Sequence, residues 1–229
     1  MPTRIYLVRH GATELTAEDR FAGSTDVPLS DEGRRQVAAL AERLRCDEIA
    51  AVYASPMGRT QETARILAAP HCLDIRVEPD LREIDYGHWE EKTRDEVEAG
   101  YPDEYDAWQE DPLTIAPAGG ESGIQVLARA LPVMRRIVEQ HEHRSVIVVA
   151  HKGTNRLLVS SLLGFDARGY RDRLDQSPAA LTILDFASVV RARLRVFNDI
   201  SHYEGVPPRV LQRRLSRWWS RPDDCPPST

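Results

Sequence analysis

The sequence predicts an α/β fold with three layers, αβα. Its central sheet is mostly parallel, with an antiparallel edge strand and an inserted helical lid. Two observations lead there. Residues 5–8 and 145–150 are short, unbroken apolar runs of the kind buried on both faces of a parallel sheet. Between and after them, apolar residues recur at helical spacing, so strands and helices alternate.

In chain order, residues 5–8 form the first strand and end on Arg9, His10 and Gly11. A strand stopping there delivers charged side chains to the carboxyl end of a sheet, where ligands bind in open α/β folds. Residues 13–28 are polar, with Gly23 and Pro28 as breakers, and read as a loop or a short helix plus loop. Ser30 is an N-cap for a helix whose buried face is Val37, Leu40, Ala41 and Leu44. Residues 50–54 are a strand, and Pro56 opens a helix that carries Arg59 near its start and ends at Pro70. Residues 73–77 alternate like a further strand.

Residues 81–122 break this rhythm. They are rich in acids and aromatics, including Tyr86, Trp89 and Trp108, with short helices expected over 93–98 and 103–110. They read as a lid inserted at about 84–121. An amphipathic helix follows over 122–140, with Pro132 expected to bend it. The strand 145–150 ends on His151, Lys152 and Gly153, repeating the logic of the first strand, and 155–163 is helical. Residues 181–186 and 193–198 form a closing hairpin at a sheet edge. Residues 1–203 thus make one catalytic-type domain, and 204–229 are a basic, proline-bounded tail.

The 229 residues carry 30 Lys+Arg against 36 Asp+Glu, a net charge of −6, which argues against general nucleic-acid binding. Cys46, Cys72 and Cys225 have neither CxxC nor Cys/His ligand spacing, so no metal or disulfide framework is expected. No apolar run approaches the roughly 20 residues that span a bilayer, and a cytoplasmic protein is expected. The oligomeric state is not legible, a homodimer being one option.

Arg9, His10, Arg59, Glu83 and His151 all stand at or just past expected strand ends. Two arginines and two histidines in one pocket call for a multiply charged anion, and phosphate matches the guanidinium fork. Among cations a histidine is held neutral, which leaves a ring nitrogen able to attack phosphorus.

The stretches LVRHGAT (7–13), RFAG (20–23) with DVPLS (26–30), SPMGRTQETA (55–64), LREIDYGHWE (81–90), GGES (119–122) and VAHKG (149–153) resemble, in order and rough spacing, the histidine phosphatase superfamily, phosphoglycerate mutase-like proteins included. The resemblance covers roughly residues 4–200. It implies that His10 is the nucleophile, that Arg9, Arg59 and His151 clamp the phosphate, and that Glu83 is general acid and base, without metal or other cofactor. Asp85 and Glu90 compete with Glu83 for that last role, and the Glu-x-x-x-Gly frame favours Glu83. Substrate contacts are expected at Gly11, Thr16, Ala22, Gly23, Tyr86 and Lys152, and in the loop 168–176.

The chain departs from the family pattern at Ala12, at Leu15-Thr16 (where Trp-Asn is common) and at Lys152. A lid shorter than that of the mutases favours water as phosphoryl acceptor. The expected activity is therefore metal-independent hydrolysis of a small phosphate monoester, such as a sugar phosphate, phosphoserine or α-ribazole phosphate. A phosphoglycerate mutase-type transferase and a catalytically silent phospho-ligand binder are the alternatives.

Overall fold

A six-stranded sheet of order β3-β2-β4-β1-β5-β6 forms the centre of the computed structural model, which describes residues 1–17 and 20–204, save the side chains of residues 16 and 17. The strands are β1 (Thr3–Arg9), β2 (Ile49–Ala54), β3 (Ile75–Val77), β4 (Ser145–Ala150), β5 (Leu181–Ser188) and β6 (Arg191–Asp199). β3, β2, β4 and β1 run parallel, while β5 and β6 add an antiparallel hairpin on the side of β1. The three-layer expectation and the edge hairpin both hold.

Period-two alternation divides the sheet's side chains between two cores. Tyr6, Val8, Val52, Ala54, Ile147 and Val149 face α2 (Asp31–Leu44) and α3 (Gly58–Ala68), meeting Val37, Leu40, Ala64 and Leu67. Ile5, Leu7, Tyr53, Val146, Val148 and Ala150 face α6 (Gly123–Gln140) and α7 (Lys152–Leu163), meeting Met134, Ile137, Leu158 and Val159. Because β1, β4 and β2 are buried on both faces, they read in sequence as continuous apolar runs.

Three boundaries differ from the sequence reading. The helix after β4 begins at Lys152, directly after His151, and not at residue 155. Its first-turn amides have a partner, the Glu83 carboxylate, which sequence spacing does not reveal. The helix carrying Arg59 starts at Gly58, with Asp26 accepting its amide, so Pro56 lies ahead of the helix rather than within its first turn. A short helix, α8 (Tyr170–Arg173), occupies a stretch with no strong periodic signal. The tail 205–229 and residues 18–19 lie outside the described residues, as does the Thr16 side chain on α1 (Glu14–Ala17).

The lid holds α4 (Arg94–Gly100) and α5 (Pro102–Glu110). Its own core is aromatic: Trp89, fully buried, packs with Phe21, Tyr105 and Trp108 at ring-centroid distances of 5.5, 5.9 and 5.4 Å. Phe21 lies far back in the chain, so the lid also fixes the loop after β1. Truncating Trp89 to alanine is expected to cost about 3–5 kcal/mol. In hydrogen exchange the amides of α4 and α5 should lose protection before those of β1 and β4; uniform loss across the sheet would contradict a separate lid core.

Candidate active site

Neighbouring parallel strands end in register: Arg9 pairs with Ala150, and Ala54 with Val149. The next residue of each strand therefore reaches the same edge of the sheet, which brings His10, His151 and Ser55 together. Backbone bonds fix those exits, His10 donating to the Ala150 carbonyl (3.2 Å) and Ser55 to that of Val149 (3.0 Å).

His10 is 6% exposed, and its Nδ1 lies 2.8 Å from the Gly11 carbonyl. A carbonyl can only accept, so Nδ1 carries the hydrogen and Nε2 keeps its lone pair. Burial lowers the His10 pKa well below the usual histidine value, and the charges of Arg59 and Arg9 lower it further. His151 is fully buried at 5.3 Å from the His10 ring and is lowered by burial first, then by Arg59, His10 and Arg9. Its Nε2 sits 2.7 Å from the Ser55 hydroxyl, and its Nδ1 has no hydrogen-bond partner among the described residues. Both imidazoles are neutral at pH 7.

Backbone carbonyls hold the two arginines. Arg9 donates to the Gln176 carbonyl (2.6 Å), and Arg59 donates to those of Thr25 (2.6 Å) and Gly23 (2.8 Å). That 23–25 loop is gathered in turn by Glu90, whose carboxylate accepts the amides of Gly23 (3.0 Å), Ser24 (3.1 Å), Thr25 (3.3 Å) and Tyr86 (3.0 Å) and the Thr25 hydroxyl (3.0 Å). Glu83 is bound at the start of α7, accepting from the amides of Gly153 (2.9 Å) and Thr154 (3.0 Å) and from the Thr154 hydroxyl (3.1 Å). A helix N-terminus is where an anion is best placed. Of the three acids that competed for one role, Glu90 binds the 23–25 loop, Asp85 accepts the Gly87 amide and Glu83 binds the start of α7, with both Glu83 and Glu90 within electrostatic reach of Arg59.

The expected substrate contacts fare differently. Gly11 and Gly23 have their amides engaged inside the protein, by the Thr63 hydroxyl (3.3 Å) and by Glu90. A Cβ on Gly11 would meet the Gly33 carbonyl at 2.6 Å, and one on Gly23 the Ile84 carbonyl at 2.0 Å, so the backbones approach too closely for any side chain. Tyr86 packs on Phe21 at 4.8 Å beneath the lid, and Ala22 and Lys152 are half-buried nearby in the chain. Ser55 and Thr154 were not singled out because each meets a partner distant in sequence, while Glu90 and Gln176 were named but not for the bonds they make. Only the position of Ser55 directly after a buried strand could have flagged it.

The chain matches the histidine phosphatase superfamily (branch 1) over residues 5–200. It belongs to that superfamily. It is 37% identical over 203 residues to a bifunctional protein of Mycobacterium tuberculosis, covering 88% of this chain and 55% of that one, so it spans about half of that relative's length. It is 32% identical over 218 residues to a probable phosphoglycerate mutase of Enterobacter, covering 92% and 99% of the two chains. The solved structure of a mycobacterial glucosyl-3-phosphoglycerate phosphatase superposes with a TM-score of 0.78 at 32% identity, covering 85% and 98%. Members of that superfamily similar to this chain include named phosphatases. No helix among the described residues is long and apolar enough to cross a membrane.

Burial lowers five histidines, His10, His71, His141, His151 and His202, and so sets a pH dependence of stability. Each binds a proton in the unfolded chain near the ordinary histidine value of 6.5 but resists one when folded. Stability is therefore complete above that value and falls as pH drops from it toward the lowered folded values. Urea midpoints between pH 8 and pH 5 should show this fall, and His10→Gln should reduce it. An unchanged slope in the variant would contradict the assignment of His10.

Proposed function

We propose that this protein is a metal-independent phosphomonoesterase that acts on a small phosphorylated metabolite through a phosphohistidine at His10. The observation that carries the reading is the His10 ring itself. With Nδ1 engaged by Gly11, Nε2 is an uncharged nucleophile among Arg9, Arg59 and His151.

In the first step Nε2 attacks phosphorus, the N–P bond forms and the ester P–O bond breaks. Glu83 gives its proton to the departing alkoxide. In the second step water attacks the phosphohistidine, Glu83 takes the water's proton, the N–P bond breaks and inorganic phosphate leaves. Arg9 and Arg59 hold the phosphoryl oxygens throughout, and the partnerless Nδ1 of His151 is available to a third. Nucleophile, clamp and proton donor all come from the chain, so the scheme calls on no metal ion.

Similarity to a probable phosphoglycerate mutase favours a second reading, transfer back to the bound alcohol. The two part at the acceptor. A lid of two short helices, α4 and α5, supports water.

The test measures free phosphate released from sugar phosphates, phosphoserine, phosphoglycerates and α-ribazole phosphate in excess chelator. The parent should release phosphate, His10→Ala should abolish it, and Arg59→Ala should lower kcat about 10²–10³-fold. Isomerised phosphoglycerate exceeding free phosphate would establish the mutase instead. Release that survives His10→Ala would remove the phosphohistidine.

A further inference from the structure

Glu83 stands on a connection with little structure of its own. Between β3 and the lid the chain makes one short 3₁₀ turn, Pro79–Leu81, and pairs with no strand. A group that moves protons has to be held to within about 0.5 Å, which a bare loop does not do by itself.

Arg129, in the second turn of α6, supplies the hold. Its side chain is 10% exposed, and each of its five N–H groups has an acceptor. Nη1 donates to the carbonyls of Asp80 (2.8 Å) and Arg82 (2.8 Å), and Nη2 to the Glu83 carbonyl (3.0 Å). Nη2 and Nε grip the two oxygens of Glu121 at 2.7 and 2.9 Å. Three carbonyls of one loop thus converge on a single guanidinium. Their dipoles repel one another, so this path of the chain depends on a cation with a planar fork, which a lysine lacks.

Glu121 completes the arrangement. Its carboxylate also accepts from the Arg82 side chain (2.8 Å) and the Asp85 amide (3.2 Å), while its own amide donates to the Asp85 carbonyl (2.8 Å). Burial raises the Glu121 pKa, but the Arg129 and Arg82 guanidinium groups hold it below the usual carboxylate range. The pair is therefore charged at neutral pH, and the anion offsets the cost of burying Arg129. Residue 83 is gripped at both ends, its carbonyl by α6 and its carboxylate by Gly153 and Thr154 of α7. The Thr154 hydroxyl donates to the Arg82 carbonyl as well (2.8 Å), so one carbonyl ties the two helices together.

We propose that Arg129, locked by Glu121, is a positioning residue for the proton donor: it fixes the Glu83 backbone so that the carboxylate meets the start of α7 and faces the leaving oxygen. This role rests on the reading of Glu83 as general acid and base. With all five donors engaged by the protein, Arg129 has none left for substrate, and it acts only through Glu83.

The test uses the leaving group. Phenyl phosphate and 4-nitrophenyl phosphate have nearly the same shape, but phenolate is the more basic and gains more from a proton. kcat/KM for phosphate release by the full-length protein covers the steps up to cleavage of the ester bond. Glu83→Gln should lose more with phenyl phosphate than with its nitro analogue. Arg129→Lys should share that pattern, falling about 10²-fold for phenyl phosphate, the cost of a misplacement near 1 Å, and about tenfold for 4-nitrophenyl phosphate. Glu121→Gln, of nearly the same shape as the parent, should skew the two esters the same way, and this arm stands if the Arg129 variant does not fold. A merely structural role would lower both esters equally. Equal losses or none in Arg129→Lys and Glu121→Gln, with the skew present in Glu83→Gln, would overturn the brace alone. An even loss in Glu83→Gln would overturn Glu83 as donor, and no release from either ester by the wild type would overturn the phosphatase reading; the brace falls with either.

Discussion

Two arginines fixed by backbone carbonyls beside two uncharged histidines are the arrangement on which the rest of this structure depends. A carboxylate would hold Arg9 or Arg59 more firmly, but it would also cancel the charge an incoming phosphate has to meet. Carbonyls of Gln176, Thr25 and Gly23 orient the guanidinium groups, and the carboxylate of the exposed Asp26 reaches Arg59 only at 4.0 Å. The carboxylates stand one step back. Glu90 organises the loop that presents Thr25 and Gly23, and Glu83 sits on the α7 N-terminus. Burial then keeps the histidines neutral, which limits repulsion in the empty site and preserves the Nε2 lone pair of His10.

Such crowding is tolerable only on a rigid frame. The frame is the register of β1, β4 and β2, whose ends align within one residue. Close backbone contacts extend it: a Cβ on Gly33 would meet the Ala12 carbonyl at 2.1 Å, so the exit loop of β1 lies directly on α2. On the other side Ala179 adopts φ 51°, left-handed and uncommon for alanine, while its amide holds the His10 carbonyl at 3.0 Å. Its neighbour Gln176 holds Arg9. Local strain is thus located where the chain must turn to grip both catalytic-type residues of β1.

What could be read from the sequence follows from how local each signal is. His10 and His151 were legible because a buried parallel strand is an apolar run, and the residue after it must emerge at the sheet edge. Arg59 and Glu83 needed the family's motif, since neither a helix-start arginine nor an acid in a loop is distinctive alone. Glu90 could be named as an acid but not assigned its part: its five contacts join residues 23–25 to residue 86, a relation that no periodicity encodes. The early start of α7 escaped for the same reason, because the group that satisfies its first amides lies 70 residues away. The close backbone approach at Gly11 and Gly23 was not legible either, because the carbonyls of Gly33 and Ile84 that leave no room for a side chain lie more than 20 residues away.

The site's two halves differ in how they are built, and that difference bears on selectivity. Groups that would touch the phosphoryl oxygens stand on strand ends or first helical turns, tied to the sheet by backbone bonds. Groups on the Glu83 side lean on the lid. Tyr86 rests on Phe21 and Trp108, and Arg171 of α8 lies over the Trp108 ring at 4.5 Å while donating to the Gln109 carbonyl at 3.3 Å. α8 begins with Tyr170, so the lid's aromatic core also bears on where Tyr170 sits in its cluster with Ile84 and Leu157. A substitution within the lid can therefore move α8 and Tyr86, and it also reaches Arg59, whose partners Gly23 and Thr25 are gathered by Glu90 of the lid. Arg9 and His10, held by Gln176 and by the backbone at the sheet edge, lean least on the lid, whereas Arg59 shares its support with Tyr86 through Glu90.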